Sequence, residues 1–291
     1  MGRKVCHCNS WNSNNVILMK ISIIGGTGFL GNNLIEALLD KNFKLLVTGT
    51  NKAKAKKYSW YKEVEFVELD LNQNENIILF KKIASSDKLI NLSWEGLPNY
   101  KSLFHYESVL MKQYYFLKKM VQYGIKEIII TGTCMEYGKI NGPLDVNMKT
   151  DPANPYALAK DTLRKFMFLL KNDYTFRIKW LRLFYMYGKG QSKYSILSQL
   201  ESAIQKGDKS FNMSMGDQER DYMPVEDVVN EIIKISLNVD KSGIFNVCSG
   251  KPITIRKLTE NYINSCNASI DLNFGYYPYP DYEAMSFWGV K

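Results

Sequence analysis

The sequence has few histidines and no long apolar run. Apart from the Cys6-His7-Cys8 segment it contains one histidine, His105, so no second cluster completes a four-ligand zinc site. Its longest apolar runs, such as Phe166–Leu170, are far shorter than the roughly 20 residues that cross a bilayer. We therefore expect neither a metal site nor a membrane-spanning segment.

The sequence shows neither the cysteine spacing of a disulfide framework nor an export signal. The five cysteines are an odd set without framework spacing, which is typical of reduced thiols in a cytoplasmic protein. Residues 1–15 are polar and lack the apolar core and small-residue cleavage site of a signal peptide. We expect 1–18 to be a disordered tail and the protein to be cytoplasmic.

The composition is that of a globular protein with an excess of positive charge. Hydrophobic residues make up 45% and charged residues 23%, which excludes a mostly disordered chain. The formal net charge of +9 favours anionic partners. Because the excess is spread along the chain, apart from Lys52, Lys54, Lys56 and Lys57, a phosphate-bearing small molecule is favoured over nucleic acid.

Apolar runs alternate with segments of helical periodicity. Most runs are rich in Ile, Leu and Val on both faces, as buried parallel strands require. The strand candidates are Lys20–Ile24, Phe43–Thr48, Val64–Leu69, Lys88–Leu92, Glu127–Thr131 and Ile178–Phe184. The helix candidates are Asn32–Asp40, Ser102–Tyr123 and Ala157–Leu170. This order predicts an α/β fold with a doubly wound parallel sheet over residues 19–188.

After Gly188 the pattern loosens into short helices and isolated strands such as Phe245–Cys248. We predict that 189–291 form mainly a smaller substrate-binding lobe, with returns to the sheet near 220–250.

A glycine-rich loop follows the first strand. The loop reads Gly25-Gly26-Thr27-Gly28-Phe29-Leu30-Gly31. Gly25 permits the tight turn, Gly28 lets the backbone approach a pyrophosphate at the helix N-terminus, and Gly31 allows close helix–strand packing. The loop predicts a Rossmann domain that binds a dinucleotide.

The second strand lacks the acidic residue that binds the adenine ribose of NAD. It ends in Thr48-Gly49-Thr50-Asn51-Lys52, whose hydroxyls and lysine favour NADP(H), with NAD(H) possible. Asp70 follows the third strand, where the adenine amino group would lie. The expected cofactor contacts are Gly25, Thr27, Gly28, Phe29, Leu30, Gly31, Thr50, Asn51, Lys52, Asp70, Leu71, Leu92, Ser93 and Lys160.

Tyr156 and Lys160 stand four residues apart, and therefore on one face of a helix. In this arrangement the ammonium can lower the pKa of the phenol by proximity and can also hold the nicotinamide ribose. The pair predicts a proton donor, Tyr156, supported by Lys160.

Together these motifs resemble the extended short-chain dehydrogenase/reductase family. The resemblance includes Thr133–Gly138, Leu181–Gly188, Arg220–Val228 and Phe245–Gly250, and it runs over most of the chain from Met19. It implies that Thr133 hydrogen-bonds the reacting sugar oxygen, that Tyr156 transfers its proton, and that Arg220 binds the diphosphate of a nucleotide sugar. The implied substrate contacts are Trp94, Thr133, Cys134, Met135, Tyr156, Tyr185, Gln191, Arg220 and Tyr222.

The same resemblance narrows the reaction. The 4,6-dehydratase branch has an Asp-Glu pair where Cys134 and Met135 stand, so dehydration is disfavoured. Enzymes that epimerise at C3 and C5 carry a cysteine at the place of Met135, so that reaction is disfavoured too. Cys134 itself is expected to be a packing residue and not a nucleophile.

Two reactions remain, and both need only Thr133, Tyr156, Lys160 and the nicotinamide. We favour NADPH-dependent reduction of a 4-keto-6-deoxyhexose carried by a nucleotide, of the type that forms dTDP-fucose for bacterial surface polysaccharide. The segment Asn91–Tyr100 looks like this subgroup, which includes relatives of CDP-abequose synthase. The alternative is a nucleotide-sugar 4-epimerase with tightly bound NAD. An inactive NADP-binding regulatory module is a third possibility, although Tyr156 and Lys160 are both retained.

Three points stay open at this stage. Glu136 stands where the family is often apolar, and it is either a buried, partnered carboxylate or an exposed loop residue. The family commonly has Asn at the position of Tyr185. A homodimer through Ser102–Tyr123 and Ala157–Leu170 is the family habit, but the apolar stripe Leu163, Phe166, Met167 and Leu170 is equally compatible with the core.

Overall fold

A seven-stranded parallel sheet forms the centre of the protein. The computed structural model describes residues 19–73, 76–238 and 241–291. The sheet strands are β1 Lys20–Ile24, β2 Lys44–Gly49, β3 Glu65–Glu68, β4 Lys88–Asn91, β5 Glu127–Thr133, β7 Arg177–Leu183 and β11 Gly243–Val247. Their order is β11-β7-β5-β4-β1-β2-β3, and every neighbouring pair is parallel. The doubly wound α/β fold is confirmed.

The strand candidate Phe245–Cys248 overlaps β11, which belongs to the central sheet. β11 pairs with β7 along its whole length, from Gly243 to Val247, within the range 220–250 where returns to the sheet were predicted. Phe245 and Val247 join the cluster on one face of the sheet, and Ile244 packs against the cluster on the other face. A short apolar run does not show by its pattern alone which strand it pairs with.

Eight helices occur in the described part of the chain, and they cover both faces of the sheet. They are α1 Phe29–Leu39, α2 Lys52–Ala55, α3 Ile77–Ala84, α4 Leu110–Gln122, α5 Pro155–Leu169, α6 Ile196–Lys206, α7 Val225–Leu237 and α8 Ile255–Ser265. Helices α3, α4 and α5 pack on one face, and α1 and α7 on the other. Leu163, Met167 and Leu170 belong to the first of these cores, so the stripe on α5 is mainly core. Within the described ranges no helix is long and apolar enough to span a membrane.

The predicted Ser102–Tyr123 helix begins with a wider turn. Residues His105–Val109 form a π-helical turn that continues directly into α4. It follows a loop in which Gly96 has a φ of +86°. This loop runs from the carboxyl end of β4 and returns beside α5.

Smaller sheets form the rest of the C-terminal part. Their strands are β6 Gly142–Leu144, β8 Tyr185–Tyr187, β9 Ser210–Asn212, β10 Glu219–Pro224, β12 Pro252–Thr254, β13 Asp271–Asn273 and β14 Phe287–Gly289. They pair as β12-β10-β8, β13-β9 and β14-β6. The buried carboxylate of Asp221 accepts hydrogen bonds from the backbone N–H groups of Ser249, Gly250 and Gly289, at 2.7 to 3.3 Å. These bonds fix the end of the chain against β10.

A buried ionic cluster lies at the amino end of the sheet, away from the glycine loop. Glu127 accepts hydrogen bonds from Lys88 at 2.8 Å, Lys179 at 2.6 Å and Arg177 at 2.8 Å. Burial opposes the charge of Glu127, but these three cations outweigh it and hold its pKa below the ordinary value. The cluster therefore ties together the starts of β4, β5 and β7.

Candidate active site

The glycine loop leaves the N-terminus of α1 open to a ligand. Gly25 has a φ of +85°, and a Cβ at this position would lie 3.0 Å from the backbone of Ser93. A Cβ at Gly31 would lie 2.5 Å from the carbonyl oxygen of Gly25, so helix and strand are too close for a side chain. Gly28 precedes α1 and offers no side-chain cap. The first backbone N–H groups of α1 are thus available to an anion.

A groove of about 260 Å³ runs from this loop across the carboxyl ends of the strands. Seven of the predicted cofactor residues line it: Gly25, Thr27, Gly28, Thr50, Leu71, Leu92 and Ser93. Thr48 also lines the groove, and its buried hydroxyl has no hydrogen-bond partner in the described structure. An unpaired hydroxyl beside an open helix N-terminus fits a polar dinucleotide.

Other predicted cofactor residues lie outside the groove lining. Phe29 and Leu30 pack against the core, and the side chain of Asn51 caps α2 by accepting from the backbone of Lys54. The lysine that lines the groove is Lys54 and not Lys52. Asp70 accepts two hydrogen bonds from Asn72, which lower its pKa.

A carboxylate stands beside the end of β2 after all. Glu68, at the end of β3, is in register with Gly49 of β2, and its Oε1 accepts the backbone N–H of Lys52 at 3.1 Å. An acidic residue was expected only at the end of β2 itself, so Glu68 on the neighbouring strand was not predicted. Adjacent parallel strands end side by side, and that geometry is the signal that would have found it.

Thr133 and Tyr156 meet at the carboxyl end of β5. Asn154 caps α5 through the backbone N–H of Ala157 at 2.9 Å, and this cap places Tyr156 in the first turn. The Thr133 side chain favours a lower pKa of the Tyr156 phenol, against a larger opposite effect of burial. Both side chains line the substrate cavity described below. They form a pair that can bind and protonate a carbonyl oxygen.

The relation between Tyr156 and Lys160 differs from the expectation. Burial raises the pKa of Tyr156 well above its ordinary value, and Lys160 does not offset this effect. The ammonium of Lys160 instead donates to the carbonyl oxygen of Thr131 at 2.7 Å. Burial also lowers the pKa of Lys160, to about 7. The helical spacing gave the shared face correctly, but desolvation dominates the electrostatics.

Glu136 is a buried, partnered carboxylate. It accepts hydrogen bonds from the backbone N–H of Thr133 at 2.9 Å, from Nε1 of Trp180 at 2.9 Å and from Nε of Arg182 at 2.8 Å. Burial raises its pKa, and Arg182 opposes this rise. A Cβ at Gly132 would lie 2.1 Å from Nε1 of Trp180 and 2.3 Å from Oε1 of Glu136. The carboxylate therefore holds the backbone that presents Thr133.

A cavity of about 580 Å³ lies between the sheet and the C-terminal strands. Eight of the nine predicted substrate residues line it: Thr133, Cys134, Met135, Tyr156, Tyr185, Gln191, Arg220 and Tyr222. Trp94 does not; it lies on the cofactor groove. Burial raises the pKa of the Cys134 thiol, which agrees with a packing role.

Sequence reasoning missed other members of the cavity wall. Gln218 lines it, and the alternation of Gln218, Arg220 and Tyr222 along one strand face was a usable signal. Tyr100, Tyr282 and Glu283 also line it, and they come from loops that carry no such pattern.

Arg220 is already paired inside this cavity. Its Nη2 donates to Oε2 of Glu283 at 2.9 Å, and its Nη1 donates to the carbonyl oxygens of Glu219 and Met285. The hydroxyl of Tyr185 donates to the other oxygen of Glu283. The guanidinium that the resemblance assigns to the diphosphate is thus bound by Glu283 in this structure.

Comparisons with known proteins agree with this architecture. Residues 21–248 match the NAD dependent epimerase/dehydratase family. The chain is 30% identical over 275 residues to a dTDP-6-deoxy-L-talose 4-dehydrogenase (NAD(+)) of Aggregatibacter actinomycetemcomitans, covering 94% of this chain and all of the relative. It is 24% identical to a UDP-glucose 4-epimerase of Halalkalibacterium halodurans, covering 83% of this chain and 79% of the relative.

Solved structures show the same fold. A UDP-N-acetylglucosamine 4-epimerase from Methanobrevibacter ruminantium, in complex with UDP-N-acetylmuramic acid, superposes with a TM-score of 0.81 at 22% identity, covering 92% of this chain and 89% of that chain. A UDP-glucuronic acid 4-epimerase mutant from Bacillus cereus, in complex with a fluorinated UDP-glucuronic acid and NAD, gives a TM-score of 0.81 at 18% identity, covering 94% and 90%.

Proposed function

The chain belongs to the NAD dependent epimerase/dehydratase family, and from this premise we propose that it reduces the 4-keto group of a nucleotide-activated 4-keto-6-deoxyhexose. The observation that carries the proposal is that Trp94 of the cofactor groove packs against Tyr156, which lines the substrate cavity together with Thr133. A relative 30% identical to this chain is named as a 4-dehydrogenase of a dTDP-6-deoxyhexose, and oxidation at C4 is the reverse of this reduction.

The residues of the site support a simple proton and hydride transfer. A bound nicotinamide dinucleotide supplies the hydride that adds to C4. Thr133 hydrogen-bonds the C4 oxygen, and Tyr156 donates its phenolic proton to that oxygen, so the ketone becomes a hydroxyl group. Because burial raises its pKa, Tyr156 is protonated and ready to donate. Neither Cys134 nor Met135 offers a carboxylate, which supports the absence of a dehydration step.

We propose NAD(H) as the cofactor, although the sequence alone favoured NADP(H). The carboxylate of Glu68 accepts the Lys52 N–H next to Thr50, a residue that lines the groove. A 2′-phosphate beside this carboxylate would meet like-charge repulsion, whereas a ribose hydroxyl could donate to it. The relative named above as NAD(+)-dependent supports the same choice. Lys54 also lines the groove, and its positive charge would instead attract a 2′-phosphate.

A 4-epimerase is the second candidate. Relatives 24% identical over most of the chain are named UDP-glucose 4-epimerases, and their reaction at C4 requires the same kind of site. An epimerase returns its hydride to the opposite face of the sugar, so the cofactor is not consumed. Net consumption of the cofactor therefore separates the two candidates.

We further propose a cytoplasmic homodimer that makes precursors of surface polysaccharide. The helices α4 and α5 pack side by side and expose Tyr115, Leu158 and Leu169. Exposed apolar groups on neighbouring helices are consistent with a subunit interface. Light scattering of the wild type and of Leu169→Glu tests this: a dimer that becomes a monomer in the variant supports it, and a monomeric wild type overturns it.

The main experiment follows absorbance at 340 nm with dTDP-4-keto-6-deoxyglucose, using NADH and NADPH in separate arms. Stoichiometric oxidation by the wild type and its loss in Tyr156→Phe would support the reductase. Interconversion of 4-hydroxy sugars without net oxidation would replace it by the epimerase. Cofactor binding without turnover, unaffected by Tyr156→Phe, would indicate a regulatory module.

A further inference from the structure

Lys160 is a buried cation without an acidic partner. Its side chain is 2% exposed, and no ion pair involves it in the described part of the chain. Its hydrogen bond is to the neutral carbonyl of Thr131. Burying a charge in this way is unfavourable unless another group stabilises it.

An aromatic face supplies that stabilisation. The ammonium of Lys160 lies 4.2 Å from the centre of the Trp94 ring, well within the range of a cation–π contact. Indole is the most effective side chain for this contact, and exclusion of water strengthens it. Trp94 also packs edge-on against Tyr156, with 6.0 Å between ring centres.

A hydrogen bond to His105 fixes the orientation of the Trp94 ring. Its Nε1 donates to Nδ1 of His105 at 3.1 Å, and Nε2 of His105 donates to the carbonyl of Asn99 at 2.8 Å. His105 is fully buried, and Gly96 leaves room for it: a Cβ there would lie 3.0 Å from the imidazole. The loop after β4 thus encloses an imidazole whose Nδ1 holds the indole.

We propose that Trp94 is a positioning residue for Lys160: its indole, held by His105, keeps the ammonium charged and directed at the carboxyl end of β5. This role differs from the substrate contact that the resemblance implied for Trp94. It rests on the proposed function only in assigning Lys160 to the nicotinamide ribose and to Tyr156.

The protonation of Lys160 depends on the polar and charged groups that surround it. Tyr156 lies on the same helix, the Thr131 carbonyl on β5, Glu136 on the turn after β5, and Trp94 with His105 on the loop side. Glu136 raises the pKa of Lys160, but burial lowers it further. Glu136 is itself bound to Arg182, and Tyr156 stays protonated because of its raised pKa. Lys160 and Trp94 are therefore the two groups to change by mutation.

The first test detects the contact between Lys160 and the Trp94 ring by absorbance. Titration of Lys160 should perturb the indole absorbance near 290 nm in the wild type between about pH 6 and 9, around the pKa that burial gives the lysine. The change should vanish in Trp94→Phe and in Lys160→Met and persist in the matched control Trp288→Phe, whose indole lies on β14, beside β6. A change that survives in Lys160→Met would come from another group and would overturn the proposal.

The second test measures Lys160 without turnover. NMR of protein carrying 13C-labelled lysine, with the Lys160 signal identified by its loss in Lys160→Met, gives the midpoint of its protonation. We expect Trp94→Leu to lower the midpoint by about one pH unit, a tenfold loss of proton affinity, and Trp94→Phe to restore part of it. An unchanged midpoint in Trp94→Leu, with the thermal unfolding temperature retained, contradicts the proposal. If the wild type instead binds neither dinucleotide nor nucleotide sugar, the proposed function fails, while the lysine measurement still stands.

Discussion

Glu283 accepts a hydrogen bond from Nη2 of Arg220 at 2.9 Å, within the cavity where a sugar diphosphate is expected to bind. The guanidinium is 2% exposed and the carboxylate side chain 11% exposed, so both charges are largely removed from water. A diphosphate that approaches Arg220 must therefore replace Glu283 or bind beside it.

Replacing Glu283 by Gln should tighten the binding of a nucleoside diphosphate. The amide keeps the shape and an acceptor for Arg220 but removes a negative charge, so we expect Kd to fall about tenfold. Calorimetry with dTDP and UDP measures this effect, and the uncharged nucleosides should bind as before. Asp281→Asn is the control, because Asp281 pairs with Lys101 at the exposed surface. Weaker diphosphate binding in Glu283→Gln would show that the carboxylate only anchors Arg220.

Replacing Tyr156 by Phe should remove most of the activity without removing cofactor binding. General acid catalysis contributes about 10² to 10⁴ in rate, so kcat should fall by that range. The hydroxyl lies at the substrate cavity and not at the cofactor groove, so Kd for NAD should not change. Thr133→Val should give a smaller loss, since it removes a hydrogen bond but leaves the proton donor. Equal activity of Tyr156→Phe and wild type would exclude Tyr156 as the donor.

Replacing Glu68 by Gln should shift the cofactor preference toward NADP. Without the carboxylate next to the Lys52 N–H, the repulsion of a 2′-phosphate disappears, and we expect NADP affinity to rise about tenfold. Fluorescence titration with NAD and NADP measures the ratio. Glu65→Gln, on the same strand but paired with Lys82, should leave the ratio as it was. A wild type that already prefers NADP would contradict the NAD proposal.

Replacing Glu127 by Gln should destabilise the fold strongly. Three cations would lose their buried partner, and breaking such a pair costs about 3–5 kcal/mol. Denaturant unfolding at pH 7 measures this loss, and Glu65→Gln, an exposed pair, should cost less than about 1 kcal/mol.

The pH dependence of the stability of Glu127→Gln follows from the direction in which the pKa of Glu127 is shifted. The folded-state pKa of Glu127 is lowered, so its stabilisation is present above the ordinary pKa of 4.5 and is lost as the pH falls through the folded value. Wild type should lose stability in this acidic range, and the loss should be smaller in Glu127→Gln. Parallel acid profiles would show that Glu127 contributes little.

Local sequence signals predicted those features of the protein that depend on residues close together in the chain. Six sheet strands were apparent because parallel strands are apolar on both faces, and the glycine loop because its steric demands are local. Tyr156 and Lys160 were correctly placed on one helix face for the same reason. These features need no knowledge of what packs against them.

Local sequence signals did not predict contacts between segments that are distant in the chain. Glu283 follows Arg220 by 63 residues and reaches it only because β10 and the chain end are held together. Glu68 meets the end of β2 from another strand, and Trp94 turns to the cofactor groove because His105 holds its nitrogen. The burial that reverses the expected effect on Tyr156 also depends on the whole fold.

Gly132, Glu136 and Trp180 constrain one another as a unit. Any side chain at 132 would collide with the indole nitrogen of Trp180, which itself donates to Glu136. A smaller residue at 180 would make room, but it would leave the buried carboxylate short of a donor. We therefore expect the three positions to change together among relatives, and a redesign of the floor of the cavity must exchange them as a set.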